Sequence, residues 1–244
     1  MRTFGIIGYP LAQSFSKKYF TEKFQRENIP DAEYKTFPLE TINQFPGLFV
    51  GEKNICGLSV TIPYKEKVIP YLDSLSPEAQ EIKAVNCIKV SEGKRTGFNT
   101  DIFGFKNSLV PLLQKQHQKA LIFGSGGASK AVAHVLKKLT IGFKIVSRKK
   151  TIEALSYEDV TVQILSEHFL LINTTPLGMF PDVAGSVPIP YHALTPQHLL
   201  YDLIYKPDET EFLRKGKEAG ALIKNGYEML ILQAEKSWEI WTSK

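Results

Sequence analysis

The chain has 244 residues, a formal charge of +5, 43% hydrophobic and 23% charged side chains, as expected of an ordinary globular protein with one large or two modest domains. No apolar run approaches the ~20 residues of a membrane span, no signal-type leader precedes the first strand-like run, and the dispersed basic residues form no aromatic-interleaved stripe for nucleic acid. Cys56 and Cys87 have neither metal-type spacing nor a disulfide framework, and the five histidines are scattered, so the expectation is a cytoplasmic protein without a catalytic metal, acting on an anionic small molecule.

From Met1 to about Thr100 strands alternate with helices. Phe4 to Gly8 reads as a strand, and Ser16 opens a helix with Phe20 and Phe24 one turn apart. Glu33 to Phe37 and Ile55 to Thr61 are the next strands, and Pro63 stands where the first turn of a following helix would begin. Cys87 to Val90 and Arg95 to Phe98 read as a hairpin about Glu92-Gly93. The alternation implies a mostly parallel α/β layer with ligands at the C-terminal ends of its strands.

A single helix from Asp101 to Gln116, apolar at Phe103, Phe105, Leu109, Leu112 and Leu113, leads to a second unit. There a short apolar strand stops at Gly124-Ser125-Gly126-Gly127-Ala128, and Lys130 to Leu136 continues as an apolar-periodic helix. Strand, tight turn and helix in that order suit a pyrophosphate, because glycine permits the turn and keeps side chains away from the helix N-terminus. The next strand, Phe143 to Val146, ends at Ser147-Arg148-Lys149, where an NAD site would have an acid for the ribose 2′-hydroxyl. Here an arginine stands instead, whose fork matches a 2′-phosphate, so the residues favour NADP. Phe169 to Ile172, Leu199 to Leu203 and Ala221 to Ile223 are further strands. Glu228 to Trp241 is a closing helix with too many apolar positions for one stripe, expected between the domains.

Several polar residues admit two readings. Thr61 and Lys65 straddle a strand-to-helix turn and can share one crevice, although a lysine there also fits a solvated helix start. Asp101 fits an N-cap, and Asn86 fits a turn. Gln233, midway along a largely apolar helix, is an amide in need of partners.

The set resembles the shikimate dehydrogenases. It comprises Gly8-Tyr9-Pro10-Leu11 with Ser14 and Ser16, Ser59-Val60-Thr61-Ile62-Pro63-Tyr64-Lys65, Asn99-Thr100-Asp101 with Gly104, and Asn173 to Met179. Asp202-Leu203-Ile204-Tyr205 and Gly226 to Leu230 with Gln233 complete it, end to end along the chain. The resemblance implies a two-lobed α/β fold: a substrate-binding domain, 1–100, completed by the C-terminal helix 226–244 returning to the cleft, and a Rossmann-like NADP-binding domain, 101–225. It implies reversible NADPH-dependent reduction of 3-dehydroshikimate to shikimate, by a monomer or homodimer. Carried over by position, Lys65 is the acid–base group paired with Asp101. Ser14, Ser16 and Tyr205 hold the substrate carboxylate, while Thr61, Asn86, Asp101 and Gln233 bind its hydroxyls. Gly124 to Ala128 hold the pyrophosphate and Ser147, Arg148 and Lys149 the 2′-phosphate. Leu203 and Gly226 lie by the nicotinamide, with Thr175 and Met179 near.

The chain departs from the family pattern in places. Tyr19 stands where a histidine is frequent and Ser125 where an alanine is. Lys83 and Cys87 replace a glycine and a threonine beside Ala84-Val85-Asn86, and Cys87, lacking the hydroxyl, is expected to loosen Asn86. The segment from Lys149 to Leu165 is short, so its helix is expected to shrink to a turn. A quinate-active or NAD-using relative, a methylenetetrahydrofolate dehydrogenase-like enzyme and a nucleotide-sensing protein that lost turnover are the competing readings. The Ser14/Ser16 and Asn99-Thr100-Asp101 pieces have no place in the second.

Overall fold

The computed structural model describes residues 1–11, 14–148 and 150–243. The chain divides into two compact units, one of Met1–Thr100 with Ala234–Lys244, the other of Asp101–Gln233.

The first unit contains β1 (Arg2–Gly8), α1 (Phe15–Arg26), β2 (Ala32–Pro38), α2 (Phe45–Gly51) and β3 (Ile55–Val60), then β4 (Ser74–Leu75), α3 (Pro77–Ile82), β5 (Cys87–Ser91) and β6 (Lys94–Phe98). Its sheet has the order β2-β1-β3-β5-β6-β4. The strands β2, β1 and β3 are parallel, as expected, but β5 runs antiparallel to both β3 and β6. The sheet is therefore mixed, because a hairpin reverses the chain within it. The apolar face of α1 places Phe20 and Phe24 against Phe4, with Phe20 stacked 4.7 Å from the Tyr34 ring.

Pro63 does not start a helix. Residues 61–68 form turns, and the chain tightens into a 3₁₀ turn only at Ile69–Tyr71. The reason is tertiary: the Lys65 carbonyl accepts from Val85 N at 2.7 Å, so it is not available to a helical ladder.

In the second unit α4 (Asp101–Leu109) precedes β7 (Lys119–Phe123), α5 (Gly127–Lys138), β8 (Gly142–Val146) and β9 (Ala154–Leu155). Then come α6 (Val162–Glu167), β10 (Leu170–Asn173), β11 (Leu199–Asp202), α7 (Glu211–Glu218), β12 (Leu222–Lys224) and α8 (Tyr227–Thr242). The expected single helix from Asp101 to Gln116 is shorter. Pro111 lacks the N–H to continue the ladder, and the chain passes into a 3₁₀ turn at Val110–Leu112. Between Ser147 and Leu165 the structure holds β9, a 3₁₀ turn at Tyr157–Asp159 and the first turn of the short α6.

This sheet is parallel throughout, in the order β12-β11-β10-β7-β8-β9. The chain steps from β7 to β8 and β9 on one side, then returns to β10 and continues to β12 on the other. The reversal lies between β7 and β10, where open sheets of this kind bind ligands at their C-terminal ends. Both faces are covered, so β7, β10 and β11 are buried at almost every residue. Residues of α8 up to Gln233 group with this unit and those from Ala234 with the first.

Candidate active site

In the first unit β1 and β3 end at the same edge of the sheet because they are parallel. The antiparallel β5 begins at that edge, since Cys87 pairs with Ser59, and β6 ends there, since Phe98 pairs with Cys87. Thr61, Asn86 and Thr100 are thus brought together by topology, from three separate segments. Gly8 makes room for Thr61, whose methyl a Cβ there would strike.

Asn86 is almost wholly buried. Its Oδ1 accepts from Thr100 N at 2.7 Å, its Nδ2 donates to Thr100 Oγ1 at 3.0 Å, and Thr100 Oγ1 lies 3.0 Å from Ser237 Oγ of α8. Its backbone carbonyl accepts from Val60 N at 2.8 Å. The expected loosening of Asn86 by Cys87 is not found: Asn86 keeps these bonds, although Cys87 is buried beside the same Ser237. Burial pushes the Cys87 thiol up to about 12, with Ser237 and Trp241 as polar neighbours. Lys65 is half-buried and tied through its carbonyl to Val85, next to Asn86.

Ser14 caps α1 and accepts from Lys17 N at 3.3 Å. Ser16, in the first turn, lies within hydrogen-bond reach of the buried Tyr34 hydroxyl, which also donates to Ser59 Oγ at 2.8 Å. Tyr19 donates to Glu235, and Lys23, buried beneath it, bonds the same carboxylate at 2.8 Å. Burial and that carboxylate hold the Tyr19 phenol well above its ordinary range. Lys83 adopts a left-handed conformation, φ 54° and ψ 43°, at the C-terminus of α3, a backbone geometry that glycine takes without steric cost.

In the second unit Asp101 is buried at the start of α4, one turn before Gly104. Gly104 lets α4 approach α8: a Cβ there would lie 2.5 Å from the Met229 carbonyl and 3.1 Å from Gln233 Cβ. Asp101 and Gln233 therefore flank one helix crossing, and Gln233 Nε2 donates to the Leu230 carbonyl at 2.8 Å.

The glycine turn lies where the fold requires it. Gly124 has φ +110°, and a Cβ there would meet Thr174 Oγ1 at 2.5 Å. Gly126 is the N-cap of α5 with no side-chain cap, and a Cβ on it would meet nothing within 4 Å. The first turn of α5, with Gly127 and Ala128, thus faces open space beside exposed Ser125, the setting in which N–H groups and the helix dipole favour an anion. Gly124 N donates to the Val146 carbonyl at 2.8 Å, which puts the end of β8 alongside. Ser147 follows, its N–H on the Leu155 carbonyl, and Arg148 is exposed. Lys150 is engaged by Asp159 at 2.8 Å. Lys149 lies outside the described residues. No acid stands at the end of β8, so these residues fit NADP.

Thr175, Leu203, Tyr205 and Gly226 lie at or just beyond the C-terminal ends of β10, β11 and β12. Gly226 touches the Leu203 backbone so closely that any Cβ would overlap its carbonyl, and Gly226 N donates to the Ile204 carbonyl at 3.0 Å. Burial raises the half-buried Tyr205 phenol. Behind them is a polar node that the sequence reading left without a role. Asp202 accepts from Thr210 Oγ1 at 2.6 Å, Ile204 N at 3.0 Å and Asn173 Nδ2 at 3.1 Å. Asn173 Oδ1 accepts from Thr175 N at 3.0 Å and Thr175 Oγ1 at 2.6 Å. The available signal was an acid closing the otherwise apolar strand Leu199-Leu200-Tyr201. No group of three or more metal-ligating side chains occurs among the described residues, and no helix among them is long and apolar enough to cross a membrane.

A family model of the shikimate dehydrogenase substrate binding domain matches residues 6–88. The chain is 37% identical over 259 residues to the NADP(+) shikimate dehydrogenase of Carboxydothermus hydrogenoformans, covering 98% of this chain and 90% of that protein. The crystal structure of the Thermus thermophilus enzyme in complex with NADP(H) and shikimate superposes with a TM-score of 0.87 at 30% identity, covering 99% of this chain and 94% of that one. Shikimate dehydrogenase 1 from Peptoclostridium difficile does so with 0.81 at 38% identity, covering 99% and 91%.

Proposed function

The chain belongs to the shikimate dehydrogenase family, and we propose that it reduces 3-dehydroshikimate to shikimate, reversibly, with Lys65 as its acid–base group. One observation carries the assignment of Lys65: its backbone is fastened to Val85, so it shares an edge with Thr61 and Asn86. Bound NADPH supplies the hydride. The Lys65 ammonium donates a hydrogen bond to the carbonyl oxygen at C3, stabilises the negative charge that develops there and delivers the proton. Asp101 orients the ammonium. Thr61, Asn86 and Gln233 hydrogen-bond the ring hydroxyls, and Ser14, Ser16 and Tyr205 take the carboxylate.

In this reading residues 1–100 with the C-terminal helix bind substrate and residues 101–225 bind NADP. Gly124 to Ala128 hold the pyrophosphate on the helix terminus. Ser147, Arg148 and Lys149 receive the 2′-phosphate, while Thr175, Leu203 and Gly226 border the nicotinamide. A cytoplasmic setting accords with two free thiols, Cys56 and Cys87.

The test is NADPH formation from shikimate and NADP by the parent beside Lys65→Ala. Turnover by the parent and a loss of about 10²–10⁴-fold in kcat, with shikimate still bound, are expected. A parent that binds both ligands without turnover would refute the enzymatic reading. An active variant would move proton transfer away from Lys65.

A further inference from the structure

The second unit buries a carboxylate that the proposed reaction does not use. Asp202 has no exposed surface, and its three bonded partners, Thr210 Oγ1, Ile204 N and Asn173 Nδ2, are all neutral. Such a group is costly to retain where an apolar side chain would pack, and burial pushes it up to about 6 despite those bonds. What it contributes is geometry. One oxygen takes both the Ile204 N–H and the Asn173 amide, the other takes the N-cap hydroxyl of α7. Asn173 passes the constraint on, since its Oδ1 holds both the N–H and the hydroxyl of Thr175, whose Oγ1 in turn accepts from Leu177 N at 3.2 Å. The carbonyl of Asn173 accepts from Leu203 N at 3.0 Å, and the Leu203 backbone supports Gly226. A single carboxylate thus determines the path of two segments, 174–178 and 203–205, at the ligand-binding end of the sheet.

We propose that Asp202 is a positioning residue, holding Thr175, Leu203 and Tyr205 in the places that cofactor binding and hydride transfer require. This rests on the roles given to those three residues above. The test compares Asp202→Ala and Asp202→Asn in the full chain with Leu165→Ala. Leu165 is fully buried in the core of the same unit, and its truncation supplies a loss of melting temperature without touching the node.

Among folded molecules Asp202→Ala should weaken NADPH binding and lower kcat, each by ~10-fold or more, and speed amide exchange in 174–178 and 203–205. Asp202→Asn, whose amide oxygen can still take the Ile204 and Asn173 donors, should recover most of both. Leu165→Ala should keep NADPH affinity and kcat. Parental affinity and kcat in folded Asp202→Ala would overturn the proposal. Should that variant not fold, Asn173→Ala cuts the arm to Thr175 together with one of the three donors to Asp202, leaving Ile204 N and Thr210 Oγ1 on the carboxylate, and unchanged affinity and kcat there would overturn it equally. If the parent bound NADPH but did not oxidise shikimate, the reaction assigned above would fall. The affinity and exchange comparisons would still decide the role of Asp202.

Discussion

The candidate anion cradle of the second unit is built from backbone, whereas the candidate substrate edge of the first is built from side chains. After β7, Gly124 and Gly126 leave open space before a helix N-terminus, and that arrangement follows from the parallel topology itself. At the edge of the first sheet Asn86, Thr100 and Ser237 form a buried chain of hydrogen bonds between the residue before β5, the second residue after β6 and α8. A backbone cradle needs little packing to exist, so it tolerates changes of side chain. A side-chain network exists only if every element that carries it is docked. The two units should therefore fail differently when perturbed.

The largest expected effect is in the docking of α8. Trp241 stacks 5.3 Å from Phe4, donates to the Ile88 carbonyl at 3.0 Å and fills the space left by Gly57. Trp241→Ala should cost about 3–5 kcal/mol of stability, read as a shift in the urea midpoint. Faster amide exchange should be confined to β1, β3 and β5; equal loosening of β7 and β10 would erase the contrast. Gly126→Ala tests the cradle. Its new methyl meets no atom within 4 Å, so the melting temperature should hold while NADPH affinity falls roughly tenfold, about 1.4 kcal/mol. A destabilised variant with unchanged affinity would contradict that assignment.

The units should also differ with pH. All five histidines lie in the second. Burial lowers the pKa of His117, His168 and His198, whose rings bond backbone carbonyls and amides at the far end of that sheet. The unfolded chain therefore takes up these protons first as pH falls, and the second unit should lose stability below the ordinary histidine range and keep it above. Asp202 has the opposite sign: raised from 3.8 to about 6, it favours the folded state at low pH and loses that contribution as pH rises through about 6. Asp202→Asn should accordingly steepen the acid loss of β10 and β11, followed by amide exchange at pH 7.5 and 5.5 (roughly, either side of the ordinary histidine range). A slope equal to the parent's would count against it. The smallest effect expected is at Lys83, where glycine removes the left-handed strain and should add about 1 kcal/mol, measured by the same urea titration.

How much was legible follows the same division. The strand, glycine turn and helix from Ala120 to Leu136 could be read directly, because each signal is local and repeats with its own period. The α1 stripe of Phe20 and Phe24 and the hairpin around Glu92-Gly93 were legible for the same reason. Residues 61–71 were not, since what prevents a helix there is a hydrogen bond to Val85 from a distant part of the chain. The short helices α2 and α3 went unread because so few residues carry no period.

Sequence alone determined the family, the α/β class, the NADP-type end of β8 and the identity of the residues that could carry the chemistry, because these depend on residue type and order. Tertiary structure decided which of them meet. It reversed β5 so that Asn86 joined Thr61, tied Asn86 to Thr100, and gave Asp202 its three donors. Those outcomes depend on strand direction, on the face each side chain takes and on what is buried, which no local pattern of residues specifies.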